Sequence, residues 1–193
     1  MRKIIVSTFV TLDGVMEDPG GAEKSTYGGW SFPFWSDEAE KYKYNELFAS
    51  DALLLGRKTY QAFAAAWPSM TDETGFANRM NSLPKYVVST TLAEAEWNNS
   101  ILIKKNVADE ISKLKQQQGQ DIIVHGSGEL IQTLMKHNLI DEYRIIVHPI
   151  IVGGGKQIFR EGTNRETLNL AETKTFGSGI VILVYRPENN HAS

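Results

Sequence analysis

Apolar residues in this chain fall into short β-branched runs that alternate with stretches of helical spacing. Ile4 to Val10 reads as a buried strand. Ser36 or Asp37 caps a helix running to about Ser50, with Asp37, Glu38 and Glu40 in its first turn and Tyr44, Leu47 and Phe48 on its apolar face. Ala52 to Leu55 is a short strand, Gly56 to Thr59 the turn after it, and Thr59 to Ala66 a helix that Trp67-Pro68 ends. Lys85 to Ser89 is the next strand and Ile101 to Ile103 a weaker one. Val107 to Gln117 is a helix with Ala108, Ile111 and Leu114 at helical spacing. Ile122 to Val124 then runs through Gly126-Ser127-Gly128 into a helix carrying Leu130, Ile131 and Leu134, which fades at Asn138. Glu142 to Val152 reads as one long strand kinked by Pro149. Leu168 to Thr175 and Ile180 to Arg186 follow without a helix between them, as an antiparallel pair, and the tail from Pro187 to Ser193 is expected to fray. Strands alternating with helices give an α/β fold: a single three-layer αβα domain with a mixed, mostly parallel sheet and antiparallel C-terminal strands.

Composition narrows the function classes. The 193 residues are 41% apolar and 22% charged, an ordinary globular balance with length enough for a real core. A net charge of −3 argues against nucleic acid or an anionic membrane as the main partner. With no cysteine there is no disulfide, thiolate metal site or cysteine nucleophile. The N-terminal Arg2-Lys3 and apolar run faintly resemble a signal peptide, but the run passes straight into Thr11-Leu12-Asp13-Gly14 without a small-residue cleavage pattern. A cytoplasmic protein is the expectation.

Between Asp13 and Trp35 the chain is rich in glycine and aromatics, long enough for a functional loop. Trp30, Phe34 and Trp35 either wall a pocket for a flat ligand, with Tyr60, or plug the core edge, or face a partner subunit. The Rossmann fingerprint fails, because Ile131 stands where its third glycine belongs; the glycine spacing of a P-loop is missing as well. Three strand-end turns remain: Gly56-Arg57-Lys58-Thr59, Ser89-Thr90-Thr91 and Gly126-Ser127-Gly128. On parallel strands they share one edge of the sheet, with two cations, several hydroxyls and two helix N-termini. That lining suits a ligand with a pyrophosphate and a separate ribose phosphate.

Leu54 to Tyr60, Lys85 to Ser89 and Ile123 to Leu130 resemble the cofactor motifs of the dihydrofolate reductase-like superfamily. Thr11-Leu12-Asp13-Gly14, Ile140-Asp141-Glu142 and Pro149 to Gly155 resemble more specifically the RibD C-terminal domain family. The resemblance implies a dihydrofolate reductase-like fold, NADPH as cofactor, a small heterocyclic, ribosyl-pyrimidine or pterin-like substrate, and a homodimer. Leu55, Gly56, Arg57, Lys58 and Thr59 would wrap the adenine-side phosphates, Arg57 and Lys58 meeting the 2′-phosphate. Ser89 and Thr90 would bond the same region. Gly126, Ser127, Gly128, Glu129 and Leu130 would pack on the pyrophosphate and nicotinamide. Dihydrofolate reductases carry a cis Gly-Gly bond at this turn, where this chain has Gly126-Ser127, and some reductases place a basic residue where it has Glu129. That carboxylate must point away or find Arg57. The alternative is a nucleotide-binding or regulatory homodimer of the same fold without turnover.

For the proton side of a reduction, the resemblance points to a carboxylate on the first helix, Glu40 or Asp37, and to Asp13 at the mouth of the first strand. Each has an ordinary alternative: Asp37 and Glu40 complement the helix dipole, and Asp13 belongs to an Asp-Gly turn. His125 and His148 lie in apolar runs and read as core histidines; no metal site is expected. Without cysteine, the chain carries no Pro-Cys-x-x-Cys pattern of the zinc deaminase that the bifunctional riboflavin enzyme joins to this domain.

Overall fold

The computed structural model describes residues 1–188. Its strands are β1 (Ile4–Thr11), β2 (Ser50–Gly56), β3 (Lys85–Val88), β4 (Ser100–Ile103), β5 (Asp121–His125), β6 (Glu142–His148), β7 (Leu168–Thr175) and β8 (Val181–Pro187). The helices are α1 (Asp37–Phe48), α2 (Arg57–Ala66), α3 (Phe76–Ser82), α4 (Val107–Gln116) and α5 (Gly128–Lys136). All strands join one sheet in the order β4-β3-β2-β5-β1-β6-β8-β7. The first six in that order run parallel, and β8 pairs antiparallel with both β6 and β7.

Period two divides the strands between two cores. Ile4 and Val6 of β1, Leu54 of β2, and Ile122 and Val124 of β5 face α4 and α5, meeting Ile111, Leu114, Ile131 and Leu134. Leu53, Leu55, Val87 and Ile123 face the opposite way, against Leu47 of α1, Tyr60 of α2 and Met80 of α3. Ile146, Ile182 and Val184 carry that second face on to Ala39 of α1. Helices on both faces explain why β1, β2 and β5 are apolar almost throughout rather than alternating. Each fully buried aliphatic side chain contributes about 1.5–3 kcal/mol. The edge strand β7 is exposed nearly end to end.

Three expectations need correcting. The strand expected from Glu142 to Val152 stops at His148: Pro149 has no N–H for the ladder, and the Ile150 N–H turns back to the His148 carbonyl at 2.8 Å. Helix α3 was not expected from the sequence. It starts after Gly75 in a left-handed conformation, and Asp72 caps it by accepting from the Phe76 and Ala77 amides at 3.0 and 2.6 Å. The tail expected to fray from Pro187 to Ser193 starts too early, because Pro187 is the last residue of β8; residues 189–193 lie outside the described residues.

Candidate functional site

Strands β2, β3 and β5 are mutually parallel, so their C-terminal ends meet at one edge of the sheet. At β2 no loop intervenes: Gly56 ends the strand and Arg57 begins α2. At β5 only Gly126 and Ser127 separate His125 from α5. Both adopt left-handed φ, 56° and 66°, which for Ser127 costs about 1–2 kcal/mol. The reason for a serine there is visible. Its Oγ accepts the Gly56 N–H at 2.9 Å and hydrogen-bonds Thr59 Oγ1 at 2.7 Å, stapling the two turns together. A Cβ on Gly56 would stand 2.6 Å from that Oγ, so only glycine fits. No cis peptide bond occurs among the described residues; Gly126-Ser127 is trans.

These ends open into a cleft of about 1720 Å³. One small-ligand pocket takes ~300–1,000 Å³, so this cleft has room for a nucleotide and a second molecule. In strand order its floor presents Ser89 and Thr90, then Gly56 to Thr59, then His125 to Leu130, then Ser7 to Phe9 of β1. Four neighbouring strands at roughly 4.8 Å spacing place these ends about 14 Å across. The N-termini of α2 and α5 point amides and positive dipole ends into the middle of that row.

Of the residues expected at a cofactor, all but Leu55 line the cleft; Leu55 is fully buried in the core beneath it. Arg57 is exposed and makes no ion pair among the described residues. Lys58 pairs with Glu23 of the long loop at 2.8 Å, and that bond raises its pKa. Glu129 finds a cation other than Arg57: Arg160 Nη1 lies 2.6 Å from its carboxylate. Arg160 also covers Gly128 and lines the cleft, a contribution with no motif around it in the sequence.

The aromatics and carboxylates divide. Trp35 lines the cleft, and its ring lies 6.2 Å from that of Phe9. Trp30 and Phe34 do not; they close round His148, at 5.1 and 6.0 Å between ring centres, so the pocket role expected of them gives way to core packing. Tyr60 is buried as well, its hydroxyl accepting the Trp97 N–H at 2.9 Å. Asp13 is drawn off the cleft, where it was expected to act. It accepts from Thr11 Oγ1 at 2.5 Å and from the Gly153 amide at 2.9 Å, which lowers its pKa and binds the end of β1 to the Gly153–Gly155 turn. Asp37 and Glu40 line the cleft rim, both exposed, in the first turn of α1.

Sequence reasoning missed the polar group beneath the far end. Glu46 of α1 is buried, accepting from Ser7 Oγ at 2.8 Å and Lys43 Nζ at 2.5 Å, with Arg144 Nη1 at 3.2 Å on its other oxygen. Burial works against its charge, but Lys43 and Arg144 prevail and its pKa is lowered. The signal was helical phase: Ala39, Lys43, Glu46 and Leu47 share one stripe of α1, and the stripe faces the core. Beside them His125 is pushed down to about 3, chiefly by burial, and burial lowers His148 too.

Both histidines are therefore neutral in the folded state while the unfolded chain protonates near its ordinary ~6.5. Their contribution to stability is full above that value and is lost as pH falls below it. Stability, and with it the melting temperature, is expected to fall as pH drops from ~6.5 toward about 3, at up to about 1.4 kcal/mol per pH unit for His125, with His148 acting in the same direction. Scanning calorimetry against pH checks this, and a flat profile across that window contradicts it.

The profile of the RibD C-terminal domain family matches residues 2–182. The chain belongs to that family. It is 32% identical over 188 residues to YyaP of Bacillus subtilis (strain 168), covering 95% of this chain and 94% of that protein. A solved protein of Shewanella sp. PV-4, named for riboflavin biosynthesis, superposes with a TM-score of 0.75 at 22% identity, covering 98% of this chain and all (100%) of that one. Dihydrofolate reductase from Enterococcus faecalis, solved with NADP(H), gives a TM-score of 0.62 at 12% identity, with 97% of each chain covered. The RibD C-terminal domain here thus has the dihydrofolate reductase-like fold. No helix among its described residues is long and apolar enough to cross a membrane.

Proposed function

We propose that this chain is an NADPH-dependent reductase of a small heterocyclic substrate. One observation carries the reading. The N-termini of α2 and α5, the end of β3 and an exposed arginine converge on one cleft, and that cleft continues past the nucleotide-sized row to a second, aromatic-lined end. The E. faecalis reductase of the same fold was solved with NADP(H), which supports the choice of cofactor.

The residues fit such a ligand. Ser127 holds the two glycine turns at a fixed separation, so the pyrophosphate meets preformed amides. Arg57, and Lys58 once released by Glu23, compensate a 2′-phosphate dianion; Ser89 and Thr90 offer hydroxyls beside it. Bound there, a reduced nicotinamide supplies hydride. The chain's own part is to orient the two reactants, narrow the far end with Phe9 and Trp35, and set charge beside the acceptor.

The test is a titration read by tryptophan fluorescence, since Trp35 and Trp67 both line the cleft. NADPH is expected to quench it at micromolar concentrations, with NADH at least about 10-fold weaker for want of the charge-assisted bonds to the phosphate. Absence of binding by either nucleotide at millimolar concentration defeats the proposal. The second reading, a nucleotide-binding regulator without turnover, draws on the exposure of Asp37 and Glu40, which leaves neither carboxylate enclosed. It predicts the same titration but no NADPH consumption with pterins, flavins or carbonyl compounds.

A further inference from the structure

The end of the cleft away from the glycine turns holds one fixed cation between aromatic surfaces. Lys43 lines the cleft with its side chain 11% exposed. Its ammonium donates to Ser7 Oγ at 2.8 Å and to Glu46 Oε2 at 2.5 Å, and these two acceptors also bond each other at 2.8 Å. Glu46 is locked from behind by Arg144. An ammonium has three N–H groups; among the described residues nothing accepts the third.

Charge counting along the network shows where its surplus lies. Arg144 and Arg186 share Glu142, and Arg144 shares Glu46 with Lys43. Three cations thus meet two carboxylates, and the member of the chain that reaches the cleft is Lys43. Its ammonium also lies 5.7 Å from the centre of the Phe9 ring. The other wall is a continuous aromatic row from the end of β5 through α2 and the turn after it to α3: His125 to Phe63 at 6.1 Å, Phe63 to Trp67 at 6.3 Å, Trp67 to Phe76 at 5.4 Å. All of these line the cleft. At the rim Asp37 and Glu40 outnumber Lys41, so no second cation cluster stands ready for a phosphate.

We infer that Lys43 anchors a substrate subsite for a flat aromatic or heteroaromatic ring whose edge carries one acceptor atom of full or partial negative charge, and not for a phosphorylated molecule. Flat aromatic walls recognise the faces of the ring and the third ammonium N–H its acceptor edge. As to the ring's role as hydride acceptor, the inference rests on the reductase reading; its binding does not.

The probe is para-nitrophenolate, a flat ring with one ionised oxygen, followed by its visible absorbance at mildly alkaline pH, with NADPH affinity measured in parallel by fluorescence. The full chain is expected to bind it. Lys43→Met is expected to weaken it roughly 10-fold or more, by loss of a charge-assisted bond, while Lys43→Arg recovers most of the affinity. Phe63→Leu, which lies outside the ion network, is expected to weaken it about 3-fold through lost ring contact. Thermal melts confirm that each variant is folded. Unchanged affinity in folded Lys43→Met, tighter binding of para-nitrophenyl phosphate than of the phenolate, or displacement of the phenolate by NADPH fragments lacking the nicotinamide overturns the subsite. If NADPH fails to bind while the phenolate binds through Lys43, the subsite stands and the reductase reading falls. The reverse pattern removes the subsite alone.

Discussion

Replacing Arg57 and Lys58 together by alanine is expected to weaken NADPH binding by on the order of 100-fold, and NADH binding by no more than about threefold. The magnitude follows from two charge-assisted contacts to one phosphate, each ~1.5–3 kcal/mol when well made. It is discounted here because both side chains are exposed and Lys58 must first give up Glu23. A combined loss of about 3 kcal/mol is then roughly 100-fold. In the proposed binding mode the pyrophosphate contacts come from backbone at the α2 and α5 N-termini, which side-chain truncation leaves in place, and this is why NADH should change little. Paired fluorescence titrations of both nucleotides against both proteins give the answer. Equal losses for NADH and NADPH would assign these cations to the pyrophosphate; no loss for either would remove them from the site.

Glu46→Ala is expected to be the most destabilising single change in the polar interior. It strands Lys43 and Arg144 without their shared carboxylate and leaves Ser7 Oγ without its acceptor. Breaking a buried pair from one side costs about 3–5 kcal/mol. At ~2–4 °C per kcal/mol for a chain of this size, the melting temperature should fall on the order of 10 °C. Replacing Lys43, Glu46 and Arg144 together by apolar residues of similar volume should restore most of that loss, because a whole buried ion network is rarely better than packed hydrocarbon. Such a protein would be folded yet lack the cleft's fixed ammonium, separating the network's structural share from its chemical one. Calorimetry of the single and triple variants tests both halves. A single variant within about 1 kcal/mol of the parent would mean that water reaches the network readily.

How much of this was legible in the chain depends on whether the signal was local. Strands β2 and β5 announce themselves by apolar runs that lead into glycine turns, and the helices that follow by their stripes, so the shared edge of the three turns is legible in the chain itself. α3 was hidden because it buries only Ala77 and Met80, too few for a period, and its cap sits four residues ahead in Asp72. Direction in loops was equally unreadable. Trp30, Phe34 and Trp35 look alike in sequence, yet the loop path sends two of them to His148 and one to the cleft. Asp13 went wrong for the same reason: its partner, Gly153, is remote in sequence. The Ser7–Lys43–Glu46–Arg144 group draws on three elements, and its most local part looks like an ordinary i,i+3 surface pair.

The pair between Glu23 and Lys58 gives the cleft mouth an unusual property. Any phosphate that comes to Lys58 does so by exchange, one anion for another on the same ammonium, rather than by capturing a bare cation. Added salt weakens the outgoing and the incoming partner alike. Arrival at this position should therefore depend on ionic strength less steeply than the count of cations at the edge would indicate. The exchange would release the Glu23 carboxylate alone: the loop backbone there stays bound, because Asp18 accepts from the Glu23 and Ser25 amides at 2.9 and 3.0 Å.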